Sequence, residues 1–373
     1  METSKKLIIG KNASIDAVIN DCQDTNCMRT TVAQVVISPS DKPSKGKPLD
    51  NEVVSLTRDN CKFLVVHGKV MYNMCNPQPW MFKLMEWELR EAHRLGADLV
   101  IHQGKNVKKM SNQEAINTYV KNVASVLEAT QDIDNKIILE NSARQGSEIG
   151  YSLSEIVEIY KLFEPEHQNR LGFCLDTCHT FVAGEIDMRD KACVRNALEK
   201  FTNEVGLDKV KSSLIIHLND SNIEFGGRND NHANFGVGFI TNQLVGGSWN
   251  GIRELLIFAS DLQIPMILET KDNVDVSDEI RILNYVANCK DEVVNPDIPK
   301  RYTGIIKAFK NYADQKRPDY KKNLSISTAR PKDDGDITGS YKQLFHPVEL
   351  ITGRNDGTVK TVRKKIIKKK LKD

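Results

Sequence analysis

Eight short apolar runs recur along the chain, at residues 7–10, 32–37, 63–67, 98–102, 136–140, 172–176, 214–217 and 265–269. Continuous β-branched runs of this length suit strands buried on both faces. Between them the spacing turns helical. Residues 81–95 carry apolar side chains three and four apart and end at Gly96, a suitable cap. Residues 112–129, 153–163, 252–262 and 276–289 follow the same rule. Eight strands alternating with helices predict an α/β fold, a (β/α)8 TIM barrel, whose usual size is roughly 250 residues. An open doubly wound sheet satisfies the same alternation. Beyond Cys289 the period stops, and Pro296, Pro299, Pro318, Pro331 and Pro347 punctuate a polar stretch. The expected organisation is a barrel domain over 1–290 and a polar, basic C-terminal extension over 291–373, partly disordered.

The residue that closes each run changes the picture from fold to chemistry. The third run ends in His67, the fourth in His102, the fifth in Glu140 and the sixth in Asp176. The seventh ends in His217 and the eighth in Glu269. A barrel gathers the C-terminal ends of its strands around one mouth, so these six side chains converge. Each alone reads as an ordinary capping or structural residue. Together, uncompensated carboxylates repel and buried imidazoles lack solvation, and cations at their centre resolve both problems. Two more motifs add donors. Asp176-Thr177-Cys178-His179 puts His179 just past the sixth strand, and Asp230-Asn231-His232 sits in a Gly-rich loop where alternate residues face one way. The set is then five His, two Glu and two Asp. Imidazole with carboxylate suits zinc, with manganese or iron as substitutes, and nine donors exceed one four-coordinate ion. His93, His167 and His346 stay outside the set and read as surface residues.

Composition sets bounds on partners and compartment. The 373 residues are 40% hydrophobic and 27% charged with a net charge of +2, as in a soluble globular protein. Residues 354–373 carry nine Lys or Arg against two Asp, which suggests a polyanionic partner. No apolar run approaches the roughly 18 residues of a membrane span, and no secretory signal opens the chain. The eight cysteines form no paired zinc-finger clusters, so an intracellular protein, cytoplasmic or nuclear, with mostly reduced thiols is expected. Cys22 and Cys27 are close enough in sequence to pair.

At its donor residues the chain resembles the endonuclease IV family of apurinic/apyrimidinic endonucleases (AP endonuclease family 2). The blocks that carry the resemblance are Glu140-Asn141-Ser142-Ala143-Arg144-Gln145-Gly146, Asp176-Thr177-Cys178-His179, His217-Leu218-Asn219-Asp220-Ser221, Asp230 to His232 with Gly236 and Gly238, and Leu268-Glu269-Thr270. They run in order over roughly residues 7 to 288. The resemblance implies three zinc ions per chain. One is held by His67, His102 and Glu140; a second by Glu140, Asp176, His217 and Glu269; the third by His179, Asp230 and His232. It further implies a monomer acting on double-stranded DNA in base excision repair. The bond 5′ to an abasic site is hydrolysed to a 3′-hydroxyl and a 5′-deoxyribose phosphate, without a covalent intermediate.

The chain departs from the family pattern where DNA is met. Val70 stands where a Tyr is usual, Gln103 where a Pro is usual, and Asn231 where an Arg is usual. In the loop after the second strand, Lys42, Lys45 and Lys47 take the place of Arg and aromatic residues; with Arg228 they are the candidate DNA contacts. Asn141 and Gln145 are expected to support the donors from behind. Two other readings compete. One is a metal-dependent sugar isomerase or epimerase on the same barrel, which leaves His179 and the Asp230–His232 loop unexplained. The other is a DNA-damage binding protein without turnover, which leaves the complete donor set unexplained.

Overall fold

The computed structural model describes residues 5–23, 31–38, 46–107, 110–271 and 274–316. Its strands are β1 (Ile8–Ala13), β2 (Thr31–Val35), β3 (Cys61–His67), β4 (Asp98–His102), β5 (Ile137–Glu140), β6 (Leu171–Asp176) and β7 (Leu214–His217). A small antiparallel pair follows, β8 (Asp220–Ser221) with β9 (His232–Ala233), and then β10 (Pro265–Leu268). The parallel strands close in the order β1-β10-β7-β6-β5-β4-β3-β2. Closure of β1 onto both β10 and β2 gives the expected barrel and excludes the open sheet.

The helices around it are α1 (Ile15–Gln23), α2 (Asn51–Asn60), α3 (Pro79–Arg94), α4 (Asn112–Ala129), α5 (Leu153–Lys161), α6 (Pro165–Asn169), α7 (Thr177–Val182), α8 (Lys191–Val205), α9 (Leu207–Ser213), α10 (Asn250–Leu262), α11 (Val276–Asn288) and α12 (Thr303–Lys316). Local sequence sets their starts. Ser111 Oγ accepts from Glu114 N at 3.2 Å and Glu114 Oε2 accepts from Ser111 N at 2.8 Å, a reciprocal cap on α4. Such a cap contributes about 1 kcal/mol.

Period-two alternation places the site. Val32, Val65, Val100, Ile138, Cys174, Ile215 and Ile267 point inward and pack into one ring inside the barrel. Two residues further along each strand, one pleat higher, stand Gln34, His67, His102, Glu140, Asp176, His217 and Glu269. Register keeps this layer level: His102 pairs with Glu140 and Asp176 with His217 across neighbouring strands. The polar layer therefore rests on an apolar floor.

The segment read from sequence as the start of an irregular extension is ordered through Lys316. Ile305, Phe309 and Ala313, four residues apart, form a buried stripe on α12 that joins the main core. The prolines before it conceal this short stripe from a search for long periods. Residues 317–373, including the basic tail, lie outside the described residues. So do Cys27, Lys42, Lys45 and His346. Cys22 Sγ lies 3.5 Å from Cys61 Sγ, and both thiols are free. No helix among the described residues is long and apolar enough to cross a membrane.

Candidate metal centre

Nine side chains from eight segments meet at the C-terminal mouth. Glu140 is buried at the centre: its Oε1 lies 2.9 Å from His217 Nδ1 and 3.5 Å from His179 Nδ1. Its Oε2 lies 3.4 Å from His67 Nε2 and 3.6 Å from His102 Nδ1. His217 Nδ1 also faces Glu269 at 3.3 Å and Asp176 at 3.9 Å. On the other side, His179 Nε2 and His232 Nε2 approach the Asp230 carboxylate at 3.2 and 3.1 Å, and His232 Nε2 lies 3.5 Å from Asp176. Donor atoms fall within 4.8 Å of one another in five overlapping sets, two of which include the buried thiols of Cys174 and Cys178, and three of which consist of His and carboxylates alone. These three are His67 with His102 and Glu140; Glu140 with Asp176, His217 and Glu269; and His179 with His232 and Asp176. Asp230 lies beside the last, 3.2 Å from His179 and 3.1 Å from His232.

The chain aims these donors from behind. His67 Nδ1–H donates to the Gly68 carbonyl (2.7 Å) and His179 Nδ1–H to the Asn141 carbonyl (2.8 Å), which turns each Nε2 inward. Asn141 Oδ1 accepts from Asp176 N at 2.7 Å. Asn219 Nδ2 donates to Asp176 (2.8 Å) and Glu269 (3.2 Å), and its Oδ1 accepts from Glu269 N at 3.0 Å. Gln34 Oε1 accepts from His217 Nε2 at 2.8 Å while its Nε2 donates to Glu269 at 2.6 Å. Gln145 instead reaches Asn229 at 3.3 Å and ties two rim loops. The sequence reading overlooked Gln34 and Asn219. The former was legible, since it stands two residues past Val32 as His67 does past Val65.

Burial and neighbouring charge oppose each other across the pocket. Burial pulls His179 and His217 toward neutrality, but surrounding carboxylates and, at His217, the Cys174 thiol outweigh it and hold both well above the ordinary imidazole range. Burial raises Glu140, yet His102 and His217 hold it well below the usual carboxylate range. Burial dominates at Asp176, which is raised, and at His102, which is lowered. Glu140 Oε2, His179 Nε2 and His232 Nε2 are buried and face only other members of the set, at 3.1–3.6 Å and without hydrogen-bond geometry. Donors that converge at such spacing with poor hydrogen-bond geometry fit divalent cations.

The cavity above them measures about 440 Å³. Its rim includes the exposed apolar residues Val36, Val70 and Met71, with Lys105 and Gln145. Of the candidate DNA contacts, Lys47 is exposed on the segment after β2 and Arg228 lies in the loop before β9; neither lines this cavity. His93, on α3, faces Asp134 near the opposite end of the barrel.

The loop that carries Asp230 and His232 is anchored by two buried carboxylates. Glu279 accepts from Phe235 N (2.8 Å), Asn234 Nδ2 (3.0 Å) and the Thr270 hydroxyl (2.6 Å). Asp220 accepts from Ser221 N (2.7 Å) and Ile240 N (2.8 Å). Burial pushes Glu279 from 4.5 up to about 7. Between those values the folded chain retains a proton that the unfolded chain has released, so this group's contribution to stability falls as pH rises. Glu279→Gln is expected to flatten the stability–pH curve there by on the order of 3 kcal/mol. Urea unfolding of both chains at either end of that window measures it; parallel curves would contradict the assignment.

Comparison with known proteins agrees with the geometry. The family model for the xylose isomerase-like TIM barrel matches residues 33–285. The probable endonuclease 4 of Campylobacter hominis is 31% identical over 252 residues, 64% of this chain and 83% of that protein. The probable endonuclease 4 of Staphylococcus carnosus is 34% identical over 213 residues, 56% of this chain and 66% of that protein. Endonuclease IV from Thermus thermophilus shares the fold with a TM-score of 0.59 at 20% identity, covering 75% of this chain and 98% of that one. A D-tagatose 3-epimerase-like protein also shares it, with a TM-score of 0.52 at 19% identity over 75% of this chain and 97% of the other. With the donor layer, the matched barrel and these relatives together, the chain belongs to the endonuclease IV family of xylose isomerase-like TIM barrels.

Proposed function

We propose that the protein is a zinc-dependent hydrolase that cuts duplex DNA 5′ to abasic sites, working as an intracellular monomer in base excision repair. The observation that carries this reading is the convergence of nine donors at one mouth, three of them with buried atoms that face other donors without hydrogen-bond geometry. His67, His102 and Glu140 would hold one ion, Glu140, Asp176, His217 and Glu269 a second, and His179, Asp230 and His232 a third. Bound zinc lowers the pKa of water and neutralises phosphate charge in an in-line displacement.

The chain's own residues do the rest. Glu140 spans two of the donor sets and fixes their separation. Gln34, Asn141 and Asn219 hold the donors in place through their hydrogen bonds, so little reorganisation accompanies the reaction. Val36, Val70 and Met71 supply an apolar rim for a sugar without a base, and an abasic nucleotide is cheaper to extrude than an intact one. No side-chain nucleophile is needed, and the products are a 3′-hydroxyl and a 5′-deoxyribose phosphate.

The test is incubation with a duplex holding one abasic analogue. A single cut on its 5′ side is expected; an uncut duplex with zinc-loaded protein defeats the proposal and leaves damage binding. The epimerase reading draws on the shared barrel. It assigns nothing to His179, Asp230 and His232, and turnover of a ketohexose by the same protein would favour it.

The basic tail carries a separate prediction. Each phosphate contact adds about 0.9 to the slope of log affinity against log salt. Removal of residues 354–373, with their nine Lys or Arg, is expected to flatten that slope by several units on undamaged duplex. Turnover at saturating substrate is expected to stay unchanged. Equal slopes for the two chains would rule out a DNA tether.

A further inference from the structure

Residues 291–316 lie beyond the stretch matched by the barrel family, which ends at 285. They pack against the starts of α10 and α11 and against the loop at Gly236. Arg253 Nη1 donates to the Asp291 carbonyl at 2.7 Å, and Val294 N donates to Asn250 Oδ1 at 3.3 Å. Ile298 then covers Gly236, where an added Cβ would meet its Cδ1 at 3.1 Å. The Tyr302 hydroxyl donates to Asp278 at 2.7 Å and accepts from Asp275 N at 3.0 Å, which pins the start of α12 to α11. Phe309 is fully buried and stands edge-on to Phe239, with ring centroids 5.0 Å apart and planes at 73°.

Phe239 is tied to the metal loop by one residue. Its N–H donates to the Ser221 carbonyl at 2.7 Å, and Ser221 is the partner of His232 in the β8–β9 pair. Phe309 therefore packs on Phe239, Phe239 is hydrogen-bonded to Ser221, and Ser221 stands opposite His232 in the strand pair. Ile298 makes a second contact on the same loop, three residues past Ala233. The loop's regular structure is one two-residue strand pairing. Glu279 and Asp220 anchor it from the barrel side, and donors on loops depend on such outside support to keep their geometry.

We propose that the segment 291–316 is a brace for the loop bearing Asp230 and His232, and that Phe309 is a positioning residue for the ion held there with His179. The inference rests on the metal reading above. It makes the segment past the family barrel part of the working centre.

The test follows zinc release from the full-length chain into a chelating dye. The unmutated chain is expected to release three ions, and release of none would overturn the metal reading itself. Phe309→Ala is expected to loosen one ion about 10–100-fold and leave the other two unchanged, with the same circular dichroism. Phe309→Leu is expected to restore most of the difference. If all three ions leave Phe309→Ala as they leave the unmutated chain, the brace is disproved. Should Phe309→Ala fail to fold, Ile298→Ala, a smaller deletion against the same loop, gives the same reading with the same two outcomes.

Discussion

Glu140→Gln is expected to abolish incision at an abasic site while leaving the barrel folded. The side chain keeps its size, so the apolar ring below it stays packed. Its carboxylate, however, lies within 3.6 Å of nitrogens on His67, His102, His179 and His217. An amide in its place offers one oxygen and turns N–H donors toward positions assigned to cations. Two of the three donor sets lose their shared anion at once. A fall in turnover of about 10³-fold or more follows, equivalent to roughly 4 kcal/mol on the barrier. His93→Ala, on the far end of the barrel, is expected to change the same assay little. Matching circular dichroism with equal losses in both variants would refute the role of Glu140.

Stripping the metal with a chelator is expected to stop cleavage and to destabilise the fold, and added zinc is expected to restore both. Asp176, Glu140, Glu269 and Asp230 crowd five imidazoles in a centre largely out of water. Without cations that crowding is relieved only by protons on the imidazoles, a weaker compensation. A site with free zinc 1,000-fold above its dissociation constant contributes about 4 kcal/mol to folding. Loss of three such sites shifts the melting temperature by on the order of ten degrees or more. Elemental analysis of the purified protein alongside thermal melts measures this. Full activity in a chain shown to contain no metal would sink the proposal.

Much of this was legible in the amino-acid order. The six donors that end strands could be read because each follows a buried run directly. His102 and Glu140 needed no tertiary information beyond barrel closure. Gln34 could be placed in the layer by its position two residues past Val32, but a neutral amide there shows no role until its partners, His217 and Glu269, are known. Asn219 escaped for the same reason. Helices α8 and α12 are marked by only three buried apolar residues each at four- or three-residue steps, Val194, Leu198 and Phe201 in one and Ile305, Phe309 and Ala313 in the other. Stripes that short do not stand out from neighbouring polar sequence. Lys47 and Arg228 illustrate the limit from the other direction: positive charge in a loop signals affinity for phosphate without fixing where the side chain ends.

The level layer of donors sets an order of events during biogenesis. Gln34 and Glu269, 235 positions apart in the chain, touch only after β10 has docked and the last gap in the barrel has closed. A nascent chain, or one trapped half-folded, has the donors but not all of their meeting points. Under the proposed metal reading, the set that includes Glu269 is complete only once β10 has docked, whereas His67, His102 and Glu140 stand on the neighbouring strands β3, β4 and β5 and can meet without β10.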